Sequence, residues 1–149
     1  MKKILFVSSE AVPFIKTGGL ADVAGTLPKS FNKNEFDVRV VIPKYRAIPE
    51  HYRNQMRYRT HFYMDFAGEN RYVGVMELEW GGITFYFIDN EYYFYGDKPY
   101  EDGVWDLEKF AYFSKAALSI LPLIDFQPDV VHCHDWQTGL VPVYLKTDF

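Results

Sequence analysis

Short runs of consecutive apolar residues alternate along this chain with stretches whose apolar residues recur at helical spacing. Ile4 to Val7 is uninterrupted, bounded by Lys2-Lys3 and Ser8-Ser9. A short run without polar alternation predicts a strand covered on both faces, as in a parallel sheet. Residues 10–19 read as a loop, with Pro13 and then Gly18-Gly19. Leu20, Val23, Ala24, Leu27 and Phe31 follow at helical spacing, so a helix with one apolar face is predicted. Pro28 should kink or divide it. Asp37 to Pro43, with Val38, Val40, Val41 and Ile42, is a second β-branched run. It closes a β-loop-α-β unit, which is almost always parallel and right-handed.

The middle of the chain has a different pattern. Residues 56–95 are rich in tyrosine, phenylalanine and valine with partial alternation. Residues 57–63, 72–78 and 83–88 are predicted strands, and Gly81-Gly82 is a hairpin signal between the last two. This region reads as an antiparallel insertion that merges into the main sheet near Ile88. Helical spacing returns over residues 106–121, through Leu107, Phe110, Ala111, Ser114, Leu118 and Leu121. Residues 129–134 form another predicted strand, entered through Pro128, and residues 138–146 begin another helix with Pro142 near its first turn. The pattern predicts an α/β class with a parallel sheet and an antiparallel insertion. A doubly wound sheet needs further strands beyond such an end, so the chain reads as truncated, with residues 130–134 central in the intact sheet. Their open edge is expected to invite non-native self-association.

Composition narrows the classes. At 149 residues, 48% of them hydrophobic, the chain has enough material for one domain with its own core. The net charge of −4 argues against a nucleic-acid partner bound through a broad basic surface, but leaves open a small phosphate held by local dipoles. Cys133 is the single cysteine, so no intrachain disulfide forms and a reducing cytoplasm is the expected setting. The opening Met1 to Val7 imitates a signal peptide, but its apolar run is too short and Ser8-Ser9-Glu10 interrupts it. No stretch approaches the roughly 20 apolar residues of a membrane span, so no membrane partner is expected.

Two segments carry the candidate chemistry, each at or beyond the carboxyl end of a predicted strand. The first is Lys16-Thr17-Gly18-Gly19-Leu20-Ala21-Asp22. Open α/β sheets bind ligands beyond the carboxyl ends of their strands. Glycines let the backbone approach a ligand closely, and the next helix offers free N–H groups and a positive dipole end to a phosphate. Lys16 adds a mobile charge, and Asp22 can accept hydrogen bonds from hydroxyls. The order is not that of a Walker loop. The Gly-x-Gly-x-x-Gly fingerprint of a dehydrogenase-type cofactor domain is missing. Spacing alone favours a plainer reading, in which the glycines make a tight turn and Asp22 is a solvated first-turn carboxylate.

The second loop is His132-Cys133-His134-Asp135-Trp136-Gln137-Thr138-Gly139-Leu140. On a strand, His132 and His134 face one way and Cys133 the other. A metal could use His132, His134 and Asp135, but zinc wants a further ligand and a second shell, and nothing in the sequence places His51 or His61 there. Cys133 as nucleophile would need a thiolate-favouring setting; mid-strand, it reads as packing. The third reading has His134 hydrogen-bonding a polar substrate. Tyr92-Tyr93-Phe94-Tyr95 could be a carbohydrate platform, although sheet packing is the plainer use.

Taken together, these segments resemble the bacterial starch and glycogen synthases, glycosyltransferase family five. Residues 6–10, Pro13, Phe14 and residues 16–23 match the family's opening, residues 132–142 its second hallmark, and residues 108–116 the helix between them. The likeness extends over essentially the whole chain and is loosest in its middle. It implies a Rossmann-like N-terminal domain of a GT-B glycosyltransferase, residues 1–149 being part of it and the C-terminal nucleotide-binding domain lying outside this chain. The implied reaction is retaining transfer of glucose from ADP-glucose to the non-reducing end of an α-1,4-glucan, with no cofactor and no metal, the fragment alone being inactive. By the family pattern, Lys16 and the Gly18-Gly19 backbone face the donor phosphates, and Asp22 and His134 act at the transferred sugar as the catalytic pair. Thr17, Asp106 and Asp135 complete the expected substrate-binding set. Where relatives carry an acidic-Asn or Asp-Gly pair, this chain has Val104-Trp105-Asp106-Leu107. A competing reading is a free-standing Rossmann-like module that binds a sugar phosphate or glucan without chemistry.

Overall fold

The computed structural model describes residues 1–101 and 103–147; the reading of the chain's end at Phe149 lies outside them. In chain order the elements are β1 (Lys2–Val7), α1 (Gly19–Thr26), β2 (Phe36–Pro43), α2 (Glu50–Arg53), β3 (Arg57–Phe66), β4 (Glu69–Trp80), β5 (Ile83–Asp89), α3 (Glu91–Phe94), α4 (Val104–Ser119), β6 (Val130–Cys133) and α5 (Val141–Thr147). One six-stranded sheet has the order β3-β4-β5-β2-β1-β6. The strands β5, β2, β1 and β6 are parallel neighbours. β3 and β4 extend the sheet as an antiparallel wing.

Local chemistry explains most of the boundaries. Pro28 divides the first helix as expected: α1 stops at Thr26 and a 3-10 turn, Leu27–Ser30, takes over, because proline lacks the N–H and clashes with the preceding turn. Gly81 and Gly82 sit at φ +57° and +79°, the left-handed pair a tight hairpin requires. Ala67 and Gly68 make the same turn between β3 and β4 at φ 53° and 77°, which an Ala-Gly pair does not announce. α3 interrupts the aromatic run: Asn90 caps it by accepting from the Tyr93 N–H at 3.1 Å. Tyr93 and Phe94 are therefore core, whereas Tyr92 is exposed.

The core lies on both faces of the sheet. Phe14 packs against Phe85 and Phe87 with ring centroids 4.9 and 5.1 Å apart, and Tyr93 stacks on Tyr112 of α4 at 4.5 Å. Each fully buried ring of this kind stabilises the fold by about 1.5–3 kcal/mol. α4 departs from its simple stripe: Leu107 is 60% exposed, while Asp106 and Lys109 are buried. The reason is an ion pair described below.

Candidate active site

The sheet order creates one special place. The chain runs outward from β1 to β2 and β5, then returns through α4 to β6 on the other side of β1. The strand order reverses between β1 and β6, and open α/β sheets bind ligands in the crevice beyond the carboxyl ends of such strands. Val7 and Cys133 are register partners at those ends. From Val7 the chain runs on through residues 8–15 to the Lys16 to Asp22 loop, and the His132 to Leu140 segment begins within the last residues of β6.

The first loop is held from beneath by Glu10, which is 1% exposed. Its Oε2 accepts from the Thr17 hydroxyl at 2.5 Å and from the Tyr100 hydroxyl at 3.0 Å. Its Oε1 accepts from the Ala21 N–H at 3.2 Å, in the first turn of α1. Ser9 Oγ lies 2.6 Å from the Tyr100 hydroxyl, and the buried Tyr45 donates to the Ser9 carbonyl at 2.7 Å. Burial and the neighbouring Glu10 push the Tyr100 phenol well up, so it keeps its proton and acts as donor. Thr17, an exposed residue of the loop, is tied to this anchor through its hydroxyl.

The glycines are not needed for the turn. Gly18 is extended and caps α1 without a side-chain bond, and a Cβ on either Gly18 or Gly19 would meet nothing within 4 Å. The tight-turn reading therefore gives way to one in which the space outside the loop is kept open. Gly25 is the glycine that packing demands, since its Cβ would lie 2.4 Å from a Val12 side-chain carbon. Lys16 pairs with Asp22 at 2.8 Å, both about half exposed; pairs of this sort contribute about 0–1 kcal/mol, so a ligand phosphate can compete for the lysine.

On the β6 side, His132 and His134 face the same way, ring centroids 4.4 Å apart, and both pack against Phe6. His134 is 8% exposed, and its Nε2 is buried with no partner among the described residues. Burial, and secondarily His132, lower its pKa to about 4, so the imidazole is neutral near pH 7. Asp135 adopts φ 64° and ψ −177°, and its side chain accepts from the Trp136 N–H at 2.9 Å. That backbone region is nearly exclusive to glycine. Burial raises the Cys133 thiol, away from a reactive thiolate. Among the described residues no group of three or more His, Cys, Asp or Glu could hold a metal.

Asp106 is buried in the first turn of α4. Both its carboxyl oxygens accept from the Glu101 N–H at 3.1 Å, and buried Lys109 lies 3.4 Å away while donating to the Pro99 carbonyl at 2.7 Å. This pair clamps the segment that delivers Tyr100 to Glu10. Sequence reasoning did not single out Glu10 or Tyr100 as functional. The available signal was a carboxylate directly after an apolar strand and ahead of a glycine loop.

The fold defines a Rossmann-like α/β domain of the GT-B glycosyltransferase type, with the strand order reversing between β1 and β6. The chain belongs to the starch synthase catalytic domain family, whose model matches residues 3–149. It is 67% identical to a glycogen synthase of Lachnospira eligens over 149 residues, covering 100% of this chain and 31% of that protein. A glycogen synthase of Lachnoclostridium phytofermentans is 61% identical, again over 100% of this chain and 31% of the relative. Among solved structures, the catalytic domain of starch synthase IV from Arabidopsis thaliana, bound to ADP and acarbose, superposes with a TM-score of 0.79 at 28% identity, covering 99% of this chain and 30% of that one. The chain thus spans about 30% of the length of the relatives it matches.

Proposed function

We propose that this chain supplies one wall of the active site of a retaining glucosyltransferase, which moves glucose from ADP-glucose to the non-reducing end of an α-1,4-glucan. What supports the reading is that the segments carrying both motifs leave the adjacent carboxyl ends of β1 and β6 in a chain of the starch synthase catalytic domain family. The ADP and acarbose bound by the Arabidopsis relative fit a nucleotide-sugar donor and a glucan acceptor.

In this reading the donor phosphates lie over Gly18 and Gly19, against the first N–H groups of α1. Fixed N–H dipoles and Lys16 stabilise negative charge as it develops on the leaving nucleotide phosphate, and they do so without reorganising. Asp22, released from Lys16, accepts from sugar hydroxyls. His134, neutral and with Nε2 unpartnered, orients a hydroxyl of the transferred glucose rather than serving as a free base. Asp135 completes the rim beside it. The Glu10 and Asp106 anchors hold the loop in place. The mechanism needs no metal. With about 30% of its relatives' length, the chain alone is expected to be inactive, because a cleft enzyme positions donor and acceptor between two walls. A cytoplasmic setting is proposed on the single cysteine; no helix of the described residues is long and apolar enough to cross a membrane.

The test is incorporation of labelled glucose from ADP-glucose into glycogen by the full-length protein and its Lys16→Ala variant. We expect a loss of at least about tenfold in kcat/KM, roughly 1.4 kcal/mol of transition-state stabilisation. Near-wild-type kinetics for the variant would refute the phosphate role. Sugar-phosphate or glucan binding with no transfer would favour a binding module.

A further inference from the structure

β3 is an outermost strand of the sheet, and among the described residues no strand pairs with its outer edge. It is 10 residues long, against the about 5 or 6 residues typical of strands. Its register with β4 decides which backbone groups face outward. The Ala67-Gly68 turn, with both residues at positive φ, makes Phe66 and Glu69 the hydrogen-bonded pair that closes the hairpin. Hydrogen-bonded pairs then recur at Met64, Phe62 and Thr60. The N–H and C=O groups of His61, Tyr63 and Asp65 therefore point away from β4. In keeping with this, the Lys115 ammonium donates to the Asp65 carbonyl at 2.7 Å, which keeps a second lone pair. The side chains sort in the same way: His61, Tyr63 and Asp65 are exposed, Phe62 and Phe66 are half-buried and Met64 is buried.

Natural sheet edges are usually blunted by lysine, proline, bulges or short length. Residues 60–66 contain no lysine and no proline, and Asp65 is their one formal charge. The bulge between Tyr58 and Thr60 only marks where regular pairing stops. What remains is a regular segment centred on Tyr63, and it is complementary to itself. Antiparallel pairing with its own copy about a twofold axis at Tyr63 sets His61 against the partner's Asp65, and does so twice. An axis at His61 or Phe62 would carry the pairing into the bulged residue Arg59. One at Met64 or Asp65 would carry it into the Ala67-Gly68 turn, and the Asp65 axis would also set two carboxylates face to face. The Tyr58 hydroxyl lies 2.5 Å from His61 Nδ1. When that hydroxyl donates, Nε2 carries the imidazole hydrogen and can give it to a carboxylate. His61 and Tyr63 lie against Tyr72, ring centroids 5.7 and 5.8 Å away, so both rings stand on one face and leave the backbone edge clear. Tyr63 is 60% exposed, and a second Tyr63 beside it removes ring surface from water.

We propose that the edge of β3 is an isologous interface, at which two copies of the full-length protein pair residues 60–66 antiparallel about a twofold axis at Tyr63. Main-chain hydrogen bonds from His61, Tyr63 and Asp65 supply affinity, and the two His61–Asp65 pairs set the register. The two sheets become one continuous sheet. The pairing consumes the edge, so association closes at the dimer. β1 and β6 lie at the opposite side of the sheet and are untouched by it.

The experiment is sedimentation equilibrium of the full-length protein over micromolar concentrations, and it involves no glucosyl transfer. The wild type should show a concentration-dependent dimer. Asp65→Lys sets a cation beside the partner's His61, and His61→Asp sets two carboxylates face to face. Each should raise the dimer dissociation constant at least about tenfold. The double variant His61→Asp, Asp65→Lys exchanges the two partners' roles and should restore the dimer. Both positions are exposed, and wild-type urea midpoints will show that the variants stay folded. A wild type that remains monomeric, or a dimer that persists unchanged in both single variants, would overturn the interface. A dimer lost in the single variants and not restored in the double variant would overturn the register.

Discussion

Tyr100 donates its phenolic hydrogen to Glu10 at 3.0 Å across 90 positions of sequence, and through that carboxyl group it reaches Thr17 and the Ala21 N–H at the start of α1. Removing the donor leaves a buried carboxyl oxygen short of a partner. Tyr100→Phe should therefore destabilise the fold by about 1–3 kcal/mol, and the Ala21 amide should exchange faster. Urea denaturation and amide hydrogen exchange read the two effects. Wild-type protection at Ala21 in the variant would show that Glu10 holds the loop without help.

Gly18 and Gly19 separate a turn requirement from a ligand requirement. A Cβ at Gly19 meets nothing within 4 Å, and alanine in place of glycine at a compatible backbone position adds about 0.4–1 kcal/mol of stability. Gly19→Ala should thus unfold at the same or a higher temperature, yet bind ADP-glucose at least about tenfold more weakly, because the methyl group stands where the donor would approach. Unimpaired donor affinity would remove the case for a phosphate over this loop.

Gly25 should behave in the opposite way. A methyl group there would lie 2.4 Å from Val12 Cγ2 and 2.5 Å from its carbonyl oxygen, so Gly25→Ala forces α1 off the 11–15 segment. Overpacking of that kind costs about 1–3 kcal/mol. The midpoint of denaturant unfolding should fall accordingly, and an unchanged midpoint would mean that helix and segment separate easily.

The buried His134 makes stability depend on pH. Burial and, secondarily, His132 lower its pKa from 6.5 to about 4, so between those values the unfolded chain binds more protons than the folded one. Stability from this group is fully present above pH 6.5 and is lost as pH falls towards 4. Urea midpoints taken across pH 4 to 7 should show this slope, and His134→Asn should flatten it. An imidazole of His134 that titrates near 6.5 by NMR would contradict the burial argument.

Much of this architecture is legible residue by residue. The uninterrupted Ile4 to Val7 run marked a strand covered on both faces, Pro28 marked the end of α1, and Gly81-Gly82 marked a hairpin. The Lys16 to Asp22 and His132 to Leu140 loops stood out because each follows such a strand. The exposed Leu107 did not follow from spacing, since α4 turns Asp106 and Lys109 inward to clamp the Pro99–Glu101 segment. The four-residue helices α2 and α3 are too short to imprint a period.

The sequence by itself determined the longer elements, their class and the two loops, because periodicity and turn chemistry are properties of the local backbone. Only the tertiary structure decided that β6 lies beside β1, that Glu10 and Tyr100 join beneath the glycine loop, and that His134 loses its water and with it most of its basicity. Each of these depends on which distant segments share a boundary, and that is settled by packing the whole chain into one close-filled core.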